Sequence, residues 1–234
     1  MLQTQHVETQ NSETEKNKSG TQVIIYQSEL DYLSRCILDY PNIETGGQLF
    51  GFYNSKGIPV VCYAIGPGPH ATHQPTLFNQ DFDYLDTIGL AINHEFGLQH
   101  IGEWHSHHML GPDYPGNDDV QTMRYTIDEM HLGKFLLCIG TLNGSAATVN
   151  AFTIYENNSV IYQNKWHIKA LPSPYRAVID SRMKDLLQHP RTQEPRLKNM
   201  LICYIATAKE TDDEYLLRAL DSDNQIFDPI TSLT

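Results

Sequence analysis

Residues 102–108 have the sequence GEWHSHH, and residues 111–120, one short loop later, have the sequence GPDYPGNDDV. The apolar residues that lead up to Trp104 predict a β-strand, and the paired acidic residues after the loop predict the first turn of a helix. Because side chains alternate across a strand, His105 and His107 should lie on one face. Two imidazoles and one carboxylate, with a fourth coordination position left open, are the pattern of a catalytic zinc site rather than of a structural one.

Outward from this stretch, the hydrophobic patterns predict a mixed β-sheet with helices packed against it. Short β-branched and aromatic runs between turn residues predict strands at 23–26, 44–53, 59–65, 98–104, 135–142, 146–155 and 160–168. Apolar residues at helical spacing predict helices at 28–40, 80–96 and 118–130.

Some local details follow from the same patterns. Ser28 should cap the first helix, since Asp31 stands three residues further on. The segment 66–76 is rich in glycine, proline and histidine and is predicted to be a loop. The last three strands should form a meander. The buried face of the second helix is predicted to consist of Phe82, Leu85, Ile88, Ile92 and Phe96.

The overall composition favours a cytoplasmic protein that does not bind nucleic acid. The chain has 234 residues and a formal net charge of -12, whereas binding to a phosphate backbone needs a cationic surface. No apolar run is long enough to span a bilayer, and residues 1–21, which we predict to be disordered, contain no apolar signal core. We therefore expect neither secretion nor a membrane partner.

The cysteines point to the same compartment. They are widely spaced and form no Cys-x-x-Cys pair, so that neither a disulfide framework nor a zinc site made of sulfur ligands is expected. We predict buried free thiols in a reducing cytoplasm for all four, Cys36, Cys62, Cys138 and Cys203.

Each candidate site residue also has an ordinary structural explanation. Acidic residues such as Asp118 and Asp119 are favoured in a first helical turn whatever their function. Glu44 precedes a glycine-rich strand and is, taken alone, typical of a solvated strand start. Gly46 and Gly47 would let a neighbouring backbone come close. Only the combination of these separated segments is specific.

Taken together, the segments resemble a known family. Glu44 with Gly47 and Gly51, the HSH triplet at 105–107 and the DVQT run at 119–122 resemble the JAMM motif of the MPN/JAB-domain metalloproteases. Three separated segments agree with that motif in order and in content, which makes the resemblance specific.

The resemblance extends over residues 22–168 and implies a fold. The GPGP run at 66–69, Phe78 and Asp81 are similar to the prokaryotic branch of the family. The implied fold class is α/β (α+β), a cytidine-deaminase-like MPN/JAB fold with a mixed β-sheet flanked by helices. Residues 169–234 would form a C-terminal extension.

The resemblance also implies an activity, that of a zinc isopeptidase or peptidase that cleaves bonds at the C-terminus of a ubiquitin-like protein. His105, His107 and an aspartate would hold Zn²⁺, and Glu44 would be the general base for the attacking water. Residues 102–108 most resemble JAB proteins encoded in bacteria beside ubiquitin-like, activating-enzyme-like and conjugating-enzyme-like proteins. This similarity implies a role in ubiquitin-like conjugation and antiphage defence, with those proteins as partners.

The sequence departs from the family pattern at the aspartate and at the oxyanion residue. The usual spacing makes Asp118 the third ligand, whereas the DVQT run makes it Asp119, which we favour because a helix register is more constrained than a loop length. The family's oxyanion serine is replaced by Gly116, or by Pro115 on the usual spacing, and losing one such donor can cost ~10²–10³ in rate. Two alternatives therefore stay open: a catalytically silent MPN scaffold that binds partner proteins, and a small-molecule zinc amidohydrolase.

Overall fold

The computed structural model describes residues 22–107, 111–156 and 161–187. The strands are Gln22–Tyr26 (β1), Gly46–Tyr53 (β2), Pro59–Ala64 (β3), Thr72–Gln74 (β4), Leu77–Asn79 (β5), Gln99–Ser106 (β6), Lys134–Asn143 (β7), Ala146–Tyr155 (β8), Tyr162–Gln163 (β9) and Lys165–Lys169 (β10). The helices in these ranges are Gln27–Asp39 (α1), Phe82–Phe96 (α2), Asn117–Glu129 (α3) and Arg176–Arg182 (α4). The mixed α/β class predicted from the hydrophobic patterns is confirmed.

Eight strands form one mixed sheet in the order β10-β1-β3-β2-β6-β7-β8-β9, and β4 and β5 form a separate hairpin. β1 runs parallel to β10 and β3, β6 runs parallel to β7, and the β2–β3 and β7–β8 pairs are antiparallel. β9 and β10 stand at opposite ends of this order, yet only Asn164 separates them in the chain. Its backbone N–H donates to the Ala151 carbonyl at 2.8 Å. The sheet therefore curls into a nearly closed barrel.

The prediction of one strand over 160–168 is wrong. β9 continues the meander beside β8, but β10 lies at the far end of the sheet order and pairs with β1. The Asn164 side chain exchanges hydrogen bonds of 2.9 and 3.2 Å with Thr153, and the Trp166 indole N–H donates to the Val149 carbonyl at 2.8 Å. These contacts close the barrel, and local periodicity carries no information about them.

Helices cover both faces of the sheet. α1 packs on one face in a core that includes Leu33, Ile37 and Trp104. On the other face, α2 and α4 share one core and α3 covers a second core around Ile127. The predicted buried face of α2 is confirmed for all its members except Phe82, which is 67% exposed. Phe82 is the first residue of the helix and lies beyond the turns that pack on the sheet.

Two local predictions are wrong because a distant segment takes part. Ser28 does not cap α1, which begins at Gln27. Its hydroxyl instead accepts from the backbone N–H of Ser173 and donates to Glu29, both at 2.8 Å. The predicted loop at 66–76 contains β4, whose pairing with β5 was not visible in either three-residue strand alone.

The chain beyond β10 folds back onto the sheet. Tyr175, Ile179 and Met183 are buried in the core beneath α2. The domain boundary after residue 168 stays a prediction, since most of the proposed extension lies beyond residue 187 and outside the described residues. The segment 1–21, predicted to be disordered, also lies outside them.

The cysteines within the described ranges behave as predicted. Cys36, Cys62 and Cys138 are free and buried, and burial raises the pKa of each thiol. Cys203 falls outside the described residues. Among the described helices, none has both the length and the apolar character that crossing a bilayer requires.

Candidate metal centre

The end of β6 carries the two histidines. Parallel pairing with β7 fixes the strand, and just after its last residue the His107 N–H donates to the Gly140 carbonyl at 2.7 Å. Ser106 points to the opposite face, where its hydroxyl accepts from the Thr45 N–H at 3.1 Å. The alternation predicted from the sequence is present: the Nε2 atoms of His105 and His107 lie 3.0 Å apart.

The first turn of α3 brings the carboxylate. Asp119 lies with its Oδ1 at 3.3 Å from His105 Nε2 and its Oδ2 at 3.4 Å from His107 Nε2. The Gly116 N–H donates to Oδ2 at 2.6 Å and holds the side chain in place. One ligand atom from each of the three side chains lies within 4.8 Å of the others, so that the group could hold a metal ion.

The structure separates the two neighbouring aspartates. Asp118 is exposed to solvent on α3 and does not belong to the group, whereas Asp119 faces the histidines. The register indicated by the DVQT run is therefore the one in which an aspartate meets both imidazoles.

His107 is held in one orientation. Its Nδ1 lies 2.7 Å from the Pro112 carbonyl, which can only accept a hydrogen bond. Nδ1 therefore carries a proton, and Nε2 is the nitrogen that faces His105 and Asp119. Metal-binding histidines commonly have their second nitrogen fixed in this way, because the bond sets the tautomer and the ring orientation.

The electrostatics of the group favour a cation. Burial alone would raise the pKa of Asp119, but its contacts with His105 and His107 outweigh this effect and hold that pKa well below its usual range. Burial alone would lower the pKa of His107, but its bonds to Asp119 and Pro112 and the charges of Asp119 and Glu44 raise it. An arrangement that favours a proton on this imidazole also favours a metal ion shared by the same groups.

Glu44 lies just before β2, in a segment that is bonded to the end of β6. Its negative charge is among the influences that raise the pKa of His107. The next residue, Thr45, exchanges two hydrogen bonds with Ser106, at 2.7 and 3.1 Å. These two bonds hold the residue after Glu44 against Ser106, which lies between the two histidines. Glu44 is not one of the three grouped ligands.

The glycines of β2 permit this close packing, as predicted. Gly46 pairs with His105, and a Cβ on Gly46 would collide with the Phe78 ring. A Cβ on Gly47 would collide with the Ile65 carbonyl, which accepts a 2.9 Å hydrogen bond from the Trp104 indole. A side chain at Gly46 would push β2 away from β5 and from the strand that carries the histidines, and one at Gly47 would push it away from the chain that follows β3.

A buried asparagine that the sequence reasoning missed supports the metal-site loop. Asn150 of β8 is 3% exposed, and its Nδ2 donates to the Asp113 carbonyl at 3.0 Å. This bond ties the loop that supplies the Pro112 carbonyl to the sheet. The signal was available, because an amide inside the apolar run AATVNAFTIY must find a partner if it is buried.

Glu103 was also missed. It stands two residues before His105 on the same face of β6, and its carboxylate accepts a 2.6 Å hydrogen bond from Gln80 Nε2. Burial raises the pKa of Glu103 to about 7, although the bond from Gln80 opposes the shift. The face of the sheet beside the histidines thus carries a second acidic group in a buried setting.

Comparison with known proteins adds little. No family model matches the chain, and no curated protein matches it. A solution structure of a protein from Desulfitobacterium hafniense is 15% identical with a TM-score of 0.48, over 64% of this chain and 94% of that one. A second, from Salinibacter ruber, is 20% identical with a TM-score of 0.40, over 64% of this chain and 92% of that one. Scores this low leave the residues of the site as the basis for any functional inference.

Proposed function

We propose that the protein is a zinc-dependent isopeptidase or peptidase with an MPN/JAB fold that acts at the C-terminus of a ubiquitin-like protein. One observation carries the proposal: three segments far apart in the sequence converge at one point. The end of β6 gives two imidazoles, α3 gives Asp119, and the segment before β2 brings Glu44 to the histidines through the bonds of Thr45 to Ser106. This convergence matches the order and content of the JAMM motif.

The donor set suits zinc. Two imidazole nitrogens and one carboxylate oxygen are the protein ligands of many catalytic zinc sites. The bond from His107 Nδ1 to the Pro112 carbonyl leaves Nε2 as the nitrogen for a metal, and contacts with the two histidines hold the pKa of Asp119 below its usual range, which favours the anionic form. Zinc bound there would supply Lewis-acid chemistry, making water acidic enough to act as a nucleophile near neutral pH.

Glu44 has a separate role in this proposal. It is not one of the three grouped ligands, and its neighbour Thr45 is bonded to Ser106, between the two histidines. Its carboxylate would accept a proton from the attacking water and return it to the departing amine. A lysine side-chain amine leaves only when protonated, so that one carboxylate can serve both steps.

The substrate would approach as an extended strand. Such peptides bind by adding to an exposed sheet edge, where main-chain hydrogen bonds give affinity. The β4–β5 hairpin contacts the backbone of Glu44 and offers an edge of this kind. The net charge of -12 suits a partner with a basic surface.

The proposed setting is a bacterial ubiquitin-like conjugation system in the cytoplasm, with a role in antiphage defence. It rests on the similarity of residues 102–108 to JAB proteins of such systems. Activating-enzyme-like and conjugating-enzyme-like proteins of the same system are the proposed partners besides the ubiquitin-like substrate.

A zinc assay coupled to cleavage of a ubiquitin-like fusion tests the proposal. Glu44→Gln should retain zinc and lose cleavage by at least ~10²-fold, because the amide cannot accept the proton. Glu95→Gln, at an exposed position of α2, is the matched control and should leave both quantities unchanged. Cleavage by Glu44→Gln at the wild-type rate, or cleavage that a chelator does not abolish, would exclude this mechanism.

A silent scaffold is the second candidate, and Gly116 favours it. The position where the family has an oxyanion serine is here an N-cap glycine whose N–H is engaged with Asp119. A scaffold would bind zinc and a ubiquitin-like protein but would show no cleavage in the assay above.

A further inference from the structure

The β4–β5 hairpin grips the backbone of Glu44. The Glu44 N–H donates to the Gln74 carbonyl at 2.9 Å, and the Glu44 carbonyl lies 2.8 Å from His73 Nδ1. Because a carbonyl can only accept, His73 Nδ1 must carry the proton and donate. Both backbone polar groups of Glu44 are therefore bonded to β4, one of them through a side chain.

The His73 ring is itself fixed on two sides. It stacks on Tyr40 with a centroid distance of 4.5 Å and an interplanar angle of 6°. On the other side the Phe78 ring lies 5.4 Å away. Phe78 in turn occupies the space above Gly46, directly opposite His105. A row of three rings thus leads from the end of α1 to the metal centre and holds the donor nitrogen at the Glu44 carbonyl.

Glu44 and the next residue are thereby held from opposite sides. Thr45 is bonded to Ser106, between the two histidines, and Glu44 is bonded to the hairpin. The backbone that carries the Glu44 side chain is therefore fixed between the metal centre and the hairpin.

We propose that His73 is a positioning residue that sets the place of the Glu44 carboxylate relative to the metal centre. This inference rests on the proposed function, in which Glu44 transfers a proton. A base that is misplaced by about 1 Å can lose on the order of 10²-fold in rate, because proton transfer requires hydrogen-bond geometry. His73 touches neither the ligands nor the substrate in this role; it acts through the Glu44 backbone.

Two substitutions separate the hydrogen bond from the stacking. His73→Phe retains the ring and removes the donor. His73→Asn removes most of the ring but places its Nδ2 where the imidazole Nδ1 was. We expect His73→Phe to lower kcat about tenfold or more with little change in KM and with full zinc content, and His73→Asn to restore most of kcat. His94→Phe, at an exposed position of α2, is the matched control.

Amide hydrogen exchange gives a second readout that does not depend on activity. The Glu44 amide is bonded to the Gln74 carbonyl, and this contact should open more readily once the neighbouring His73 bond is lost. The amide should therefore exchange several-fold faster in His73→Phe and at close to the wild-type rate in His73→Asn. If the wild-type protein cleaves nothing, the proposed function fails, and this readout still decides whether His73 holds Glu44.

Three results would overturn the inference. One is a wild-type kcat in His73→Phe. Another is unchanged exchange of the Glu44 amide in that variant. The third is equal loss in His73→Asn and His73→Phe, which would assign the effect to the ring stack rather than to the hydrogen bond.

Discussion

Within the part of the chain that the structure describes, two clusters of charged or ionisable side chains are partly or fully buried, and they are built in opposite ways. At the junction of α1, β3 and α4, Glu29 is fully buried and paired with Arg176. Its Oε2 also accepts from the Ala64 N–H at 2.8 Å, and its Oε1 accepts from the Ser28 hydroxyl at 2.8 Å. At the metal centre, by contrast, two imidazole nitrogens and a carboxylate converge on one another.

The two clusters differ in the kinds of groups that they bring together. In the first, positive and negative groups meet, and hydrogen bonds take up the lone pairs of the carboxylate, so that the cluster is complete within the chain. In the second, the convergent atoms are all potential electron-pair donors, which a metal ion would bring into balance. Burial of charge alone does not distinguish a self-contained ion pair from a group that could hold a metal ion, whereas the kind of atoms that converge does.

The largest effect is expected from a substitution in the Glu29–Arg176 cluster. Glu29→Ala would leave Arg176 buried without its counter-charge, and removing one partner of a buried pair costs about 3–5 kcal/mol in the free energy of unfolding. Urea unfolding measures the change, and Glu95→Ala, at an exposed site, is the control. A loss below about 1 kcal/mol would show that the pair is not structural. The folded fraction should still bind zinc at the wild-type affinity.

The next largest effect is expected on zinc affinity, from a substitution in the candidate metal group. Asp119→Ala should weaken zinc binding by at least about 100-fold, which corresponds to about 2.8 kcal/mol, because a direct ligand is lost. Asp118→Ala is a close control, since the neighbouring carboxylate is exposed and outside the group. Zinc affinity is measured by competition with a chromophoric chelator. If the two variants lose zinc equally, the histidines are not bridged by Asp119.

His100 is a buried ionisable residue outside both clusters. It has no oppositely charged partner among the described residues, and it does not belong to the candidate metal group. Its ring packs between Phe50 and Phe135, at centroid distances of 5.7 and 5.0 Å, and its Nε2 has no hydrogen-bond partner among the described residues. Burial lowers the pKa of His100 to about 4. The unfolded chain, with an ordinary histidine pKa, therefore binds more protons than the folded chain between about pH 6.5 and 4.

Above about pH 6.5, His100 is neutral in both states and does not lower the free energy of unfolding. That free energy decreases as the pH falls from about 6.5 through about 4. Discounted for the partial exposure of the ring, the loss is about 2 kcal/mol. His100→Phe should remove that part of the pH dependence and leave stability at pH 7 nearly unchanged. Urea unfolding of both proteins at several pH values measures the difference. Parallel curves for variant and wild type would mean that His100 does not titrate in this way.

Features that depend on a local sequence period were predictable, whereas contacts between distant segments were not. The alternation that puts His105 and His107 on one face, the apolar face of α1 and the β2–β3 hairpin were all predictable, because each depends on a period of two or 3.6 residues. The proximity of Glu44 to the histidines came from a family resemblance and not from any such period. The Glu29–Arg176 pair was not predicted at all, since its members are 147 positions apart.

The sequence by itself determined the mixed α/β class, most of the strands and helices, and the two histidines of the candidate metal group, with Asp118 and Asp119 as alternatives for its carboxylate. Tertiary structure alone decided that β10 pairs with β1, that Asp119 and not Asp118 faces the imidazoles, and that the Pro112 carbonyl and His73 hold His107 and Glu44 in place. The physical reason is the sequence distance between the residues that interact. A helix or strand is fixed by neighbours within a few residues, whereas loop lengths and barrel closure are set by the packing of the whole chain, which brings together atoms that no local pattern relates.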